Sequence, residues 1–214
     1  MAEIKIMNNL ISTRKCGVEG VDELWWVTAD RGAFGSMTNG PLGDWISDHK
    51  HFMSDVKNFD TVIQAGGNCG MYARFYSNYF KNVYTFEPCE INFTCLDRNC
   101  VGDSYHKYHG ALGDRIDKMS LKLHKSSNVG MHKIDETPGE IQMYRIDDLK
   151  LSSCDLIHLD VEGYEDRVLN GAMRTINAFK PVVIVERGNG SSILTNIGYT
   201  LLHKLKMDHV YTIN

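Results

Sequence analysis

Apolar residues in this chain fall into short uninterrupted runs and into sets spaced three or four apart. Thr61, Val62 and Ile63 form one run, Val83 to Phe86 a second, and Leu156 to Leu159 another. Runs of this length suit strands buried on both faces. Tyr105 to Leu112 reads as a further strand, and Pro181 starts a fifth, a position where proline is tolerated. Between these runs, Met71, Tyr72, Phe75, Tyr76, Tyr79 and Phe80 recur at helical spacing. So do Tyr164, Val168, Leu169, Ala172, Met173 and Ile176, and each set covers one face of a helix. Pro88 opens a helix to about Asn99, with Ile91, Cys95 and Leu96 on one side. Leu121–His124 and Gln142–Ile146 read as two added strands, a hairpin with a Ser/Asn/Gly loop between them. Ser191–Ile197 reads as a short helix, and Tyr199–Leu205 with His209–Ile213 as a closing antiparallel pair. Alternating strands and helices with short turns imply a parallel sheet with right-handed crossovers and helices on both faces.

Residues 1–58 stand before this alternation and hold all three tryptophans, Trp25, Trp26 and Trp45. Leu24–Thr28 reads as a strand, the glycine-rich stretch Arg31–Gly43 as a loop, and Trp45–Val56 as a helix with Asp44 as its N-cap. The segment is expected to pack over one end of the sheet, as a lid or as a plain packing extension. Residues 59–214 form the core, and the whole chain is expected to be a single domain.

Chemistry concentrates where strands end. After Ile63 come Gln64, then Gly66, Gly67, Asn68, Cys69 and Gly70, a turn that needs residues without a Cβ. The following helix start offers free N–H groups. The next strand ends at Glu87, 21 residues beyond Gly66, and a carboxylate there can accept hydrogen bonds from both hydroxyls of a ribose. Gly66, Glu87, Gly113 and Asp160 all fall at the carboxyl ends of expected strands, which is where open α/β sheets bind ligands. The bland alternative is a buried βαβ unit whose glycines only serve a tight turn. A dinucleotide fingerprint would read G-x-G-x-x-G, and this spacing departs from it.

The turn is closer to the D-x-G-A-N-x-G pattern followed by F-E-P of S-adenosylmethionine-dependent methyltransferases. Residues 155–171, DLIHLDVEGYEDRVLNG, and 181–186, PVVIVE, sharpen the match. They strongly resemble the FkbM-type methyltransferase family through Asp160, Val161, Glu162, Gly163, Glu165, Val168, Leu169 and Gly171. The resemblance extends from Gln64 to about Tyr199. Gln64 stands where the family usually has Asp, and His158 where it usually has Lys. The resemblance implies a Rossmann-like class I fold with a mostly parallel seven-stranded sheet. It implies S-adenosylmethionine as cofactor, held by Gln64, Gly66, Gly67, Asn68, Gly70, Glu87, Pro88, Ala111, Leu112 and Asp160. It also implies O-methylation of a small-molecule or glycan hydroxyl, with Asp160 and Glu162 as catalytic residues. Glu162 would be the base; its alternative is to cap the helix near Gly163. His158 reads as a packed strand histidine rather than a base. Two other functions stay open: cofactor binding without transfer, prompted by Gln64, and, more weakly, NAD-dependent oxidation.

A net charge of −4 and the lack of a basic run give no support for a nucleic-acid partner. No apolar stretch approaches the length of a membrane span. The N-terminus lacks the apolar core of a secretion signal, and the six cysteines include no C-x-x-C pair. A reduced, cytoplasmic location is therefore expected. His49, His51, His106 and His109 fit no structural zinc spacing, so no metal is expected. The acceptor and the oligomeric state are not legible here.

Overall fold

The computed structural model of the chain describes residues 10–15, 23–30, 49–123, 128–205 and 207–213. Strands β1 (Ile11–Lys15) and β2 (Glu23–Val27) form an antiparallel pair. Residues 49–52 are helical and run into a 3-10 turn at Met53–Asp55. The expected loop Arg31–Gly43 and the proposed cap Asp44 lie outside the described residues.

The core then begins. β3 (Thr61–Ala65), α1 (Met71–Tyr76), β4 (Asn82–Glu87), α2 (Glu90–Asn99) and β5 (Tyr105–His109) follow in order. β6 (Ala111–Leu112), β7 (Lys118–Lys122), β8 (Lys133–Pro138) and β9 (Ile141–Tyr144) form a separate four-stranded sheet in the order β6-β9-β7-β8. The chain returns through β10 (Leu156–Leu159), α3 (Glu165–Asn170), α4 (Met173–Phe179), β11 (Val182–Glu186), α5 (Ser191–Asn196), β12 (Thr200–Lys204) and β13 (Asp208–Thr212).

The main sheet has seven strands in the order β12-β13-β11-β10-β3-β4-β5. β3, β4, β5, β10 and β11 are mutually parallel, and β13 pairs antiparallel with β11 and with β12. From β3 the chain winds outward to β5, then crosses back to β10 and winds the other way. The β3–β10 junction is thus the point where strand order reverses, the usual ligand crevice of such sheets.

Every residue of β3, β10 and β11 is buried, which is why these strands read as continuous apolar runs. Successive side chains feed opposite faces. Val62, Leu156 and Ile184 join one core, while Ile63, Ile157, Val183 and Val185 join the other. Cys69, Cys89, Cys95, Cys100 and Cys154 are buried free thiols within these layers.

Three sequence expectations change. The strand expected over Tyr105–Leu112 divides at Gly110, and β6 leaves the main sheet to pair with β9. The long helix beginning near Tyr164 breaks at Gly171, where a Cβ would lie 1.9 Å from the Gly113 carbonyl oxygen. The added region has three long strands rather than two, because β8 pairs with β7 inside the expected loop.

Candidate active site

One cavity of about 170 Å³ opens at the carboxyl ends of the parallel strands. Gly66, Gly67 and Asn68 from the glycine turn line it, as do Glu87 and Pro88 beyond β4. Ala111 and Leu112 of β6 form one wall, and Asp160 and Glu162 beyond β10 another. Nine residues expected from sequence therefore meet in one place. Gly113 does not line the cavity; β6 supplies that wall a step earlier.

Gln64 and Gly70 are not among the lining residues. Gln64 was expected to help hold the cofactor, but its side chain is fully buried. Its amide nitrogen donates to the Gly66 carbonyl (2.8 Å), and its amide oxygen accepts from the Thr85 hydroxyl (2.7 Å). Gln64 thus shapes the turn from behind. Gly70 starts α1 at φ 87°, and a Cβ there would press on Cys100 at 3.0 Å and Leu96 at 3.2 Å, so it serves packing. Gly66, at φ +82°, lets the turn cross β10: a Cβ would sit 1.8 Å from the Asp160 carbonyl oxygen.

Glu87 is 4% exposed. One carboxylate oxygen accepts the Asn68 N–H (2.7 Å). The other accepts the Cys89 N–H (2.8 Å) and the Asn92 amide (3.4 Å). Desolvation lifts its pKa to about 7, against the pull of these donors. A carboxylate offers about four acceptor sites, so one remains for a ligand. Beside it, Asn68 Oδ1 and Asn92 Oδ1 are buried acceptors without a hydrogen-bond partner among the described residues. Three acceptors gathered at the tip of β4 fit a ligand that presents vicinal hydroxyls.

The opposite end is acidic. Asp160, Glu162 and Glu186 bring carboxylate oxygens within 4.8 Å of one another, and Asp208 also lines the cavity. Burial, then the charges of Glu186, Asp208, Glu162 and Glu165, hold the Asp160 carboxyl well above the usual range. Burial and then Glu162 push Glu186 the same way. Carboxylates crowded like this resist sharing negative charge and favour a cationic guest. Glu162 sits at φ 56°. Binding the loop's N–H groups falls to Glu165, which accepts from Val161 (3.2 Å) and Gly163 (3.4 Å). Phe86, Leu112, Met71 and Ile134 add apolar surface to the cavity lining.

The sequence reading missed Glu186, Asp208, Asn92, Tyr72 and Trp26, which also line the cavity. For Glu186 the signal was present, as the acid ending an apolar strand; Tyr72 and Asn92 lie on the helices just after the glycine turn and Glu87, where spacing marked only the packed faces, and Trp26 and Asp208 came from distant elements with no local mark. Among the described residues, no helix is long and apolar enough to cross a membrane.

A model of the FkbM methyltransferase domain matches residues 64–197. No curated protein sequence matches the chain. Among solved structures, an FkbM methyltransferase from Methylobacillus flagellatus KT superposes with a TM-score of 0.51 at 18% identity, covering 72% of this chain and 43% of that one. A Pyrococcus abyssi tRNA (uracil-54, C5)-methyltransferase in complex with S-adenosyl-L-homocysteine gives 0.50 at 10% identity, covering 95% of this chain and 44% of that one. The chain thus spans less than half of either structure, and at these identities the likeness is one of fold, the class I methyltransferase fold. With the family match covering more than half its length, this chain belongs to the FkbM methyltransferase family.

Proposed function

We propose that the chain binds S-adenosylmethionine in this cavity and methylates a hydroxyl of a small molecule or glycan. The observation that carries the reading is the cavity's polarity. Unpartnered acceptors lie beside Glu87 and crowded carboxylates at Asp160, and apolar residues complete the lining. A nucleoside's ribose suits the acceptors, its base the apolar residues and a cationic tail the carboxylates, and family membership supports the same guest. The bound cofactor supplies an electrophilic methyl on a cationic sulfur. Glu87, Asn68 and Asn92 hold the ribose. Asp160 and Glu186 steady the cationic end. Glu162 takes the proton of the acceptor hydroxyl as the new oxygen–carbon bond forms and the sulfur–carbon bond breaks. Through β2 the N-terminal segment serves as a partial lid, a reading supported by Trp26 in the cavity wall.

Calorimetric titration with S-adenosylhomocysteine and NAD tests the cofactor; binding of the first alone is expected. Labelled methyl transfer to hydroxyl-bearing small molecules, glycans and RNA then tests the acceptor. Glu162→Gln should cut transfer by about 10²–10⁴-fold while S-adenosylhomocysteine still binds. Binding without transfer to any acceptor would leave a cofactor-binding protein. Transfer to RNA alone would replace the acceptor class, and failure to bind would overturn the proposal.

A further inference from the structure

His49, His158 and Asp208 come from three separate places in the chain and meet in the core beside the cavity. His49 opens the helical residues 49–52, His158 lies in β10, and Asp208 starts β13. They are 0%, 1% and 7% exposed, yet one potential ligand atom from each lies within 4.8 Å of the other two. The imidazole centroids are 4.8 Å apart, and His49 Nε2 stands 3.7 Å from an Asp208 oxygen. An ion bound at about 2.1 Å from each ligand would hold them roughly 3.4 Å apart, so the edge is within a few tenths of an ångström of that spacing. His158 Nδ1 is engaged by the Tyr76 hydroxyl at 3.0 Å. That leaves Nε2, a buried nitrogen with no hydrogen-bond partner among the described residues. An outer group fixing one ring nitrogen so that the other can ligate is the usual arrangement around metal-binding histidines.

We propose that His49, His158 and Asp208 form a site for one divalent transition-metal ion, zinc by preference, in the wall of the cavity. Two imidazoles and a carboxylate suit zinc over the oxygen-seeking magnesium and calcium. Three protein ligands leave a fourth position open, the pattern of zinc sites that also take water or substrate. Asp208 and Tyr72 line the cavity, and the Tyr72 ring lies 4.6 Å from His49 and 4.8 Å from His158, so the site borders the ligand space. The site stands independently of methyl transfer, because metal binding is read on the protein alone.

The test strips the full-length protein with chelator and titrates zinc against a chromophoric competitor. One equivalent should bind. His158→Gln and Asp208→Asn should each weaken binding at least 100-fold, and Tyr76→Phe by about 10-fold. Cobalt should give the intense absorption of a four- or five-coordinate site in the wild-type protein. Circular dichroism checks each variant's fold; where a variant does not fold, the wild-type cobalt spectrum decides. A weak, six-coordinate cobalt spectrum, no stoichiometric zinc, or binding unchanged in His158→Gln would overturn the proposal. So would loss of the ion in Glu162→Gln with retention in His158→Gln, which would move the metal to the carboxylate cluster. Absence of zinc would leave His49 and Asp208 as a buried contact only.

Discussion

Two residues at the end of β3 and β4 govern how the site is built. Gln64 departs from the usual acid, yet it is satisfied inside the protein by Gly66 and Thr85. Gln64→Glu would remove the donor to Gly66 and set a carboxylate against carbonyl oxygens in a fully buried place. It should destabilise the fold by about 2–4 kcal/mol in urea denaturation and leave cofactor affinity no tighter. Tighter binding with unchanged stability would return Gln64 to the ligand. Glu87 carries a pH signature. Its pKa rises from the ordinary 4.5 to about 7 on folding, so the folded state binds more protons between these values. The stability it contributes is fully present below pH 4.5 and is lost as pH rises to about 7. The loss amounts to about 3 kcal/mol. Denaturation of wild type and Glu87→Gln across this window should therefore differ in slope, with the variant flatter. Glu87 was legible from sequence because strand, glycine turn and acid lie close together in the chain. The burial of Gln64 was not, because alternation along a strand fixes a side chain's face but not what waits there.

At the scale of elements, the β1–β2 pair is pinned to the glycine turn through one side chain on α2. Asn99 accepts the Trp25 N–H (2.7 Å) and donates to the carbonyls of Trp25 (2.8 Å) and Cys69 (2.7 Å). The Arg98 guanidinium lies 4.8 Å above the Trp25 ring. Asn99→Ala would strand the buried Cys69 carbonyl and the part-buried N–H and carbonyl of Trp25, and should cost about 2–3 kcal/mol of stability. Amide exchange at residues 23–27 should accelerate more than exchange in β3. Equal acceleration in both would mean that the pair is not separately anchored. The uninterrupted strands β3, β10 and β11 were readable because burial on both faces excludes polar residues. β8 was not: Lys133–Pro138 is mostly exposed, carries no alternation and holds its place by pairing with β7. The break between α3 and α4 was also hidden, since the apolar period runs unbroken through Gly171 while the obstacle is the distant Gly113 carbonyl.

Across the whole molecule, the cavity draws its walls from both halves of the sheet, from β6 and from Trp26. Strand ends that converge at a topological switch could be foreseen from the order of elements. The meeting of His49, His158 and Asp208 could not, because long stretches of chain separate them and only the complete fold brings them together. A ligand that fills such a cavity touches most of the fold and none of the unfolded chain. S-adenosylhomocysteine at one hundred times its dissociation constant should therefore stabilise the protein by about 2.7 kcal/mol. For a chain of this size that is a rise of roughly 5–10 °C in melting temperature. The gain should appear as slower amide exchange in segments far apart in sequence, around Trp26, Asn68 and Asp208. Glu87→Gln should shrink the thermal shift at fixed ligand concentration, and NAD should produce none. Protection confined to the glycine turn, with Trp26 and Asp208 unaffected, would mean that the ligand occupies only the Glu87 end. The acidic end would then be left to the acceptor.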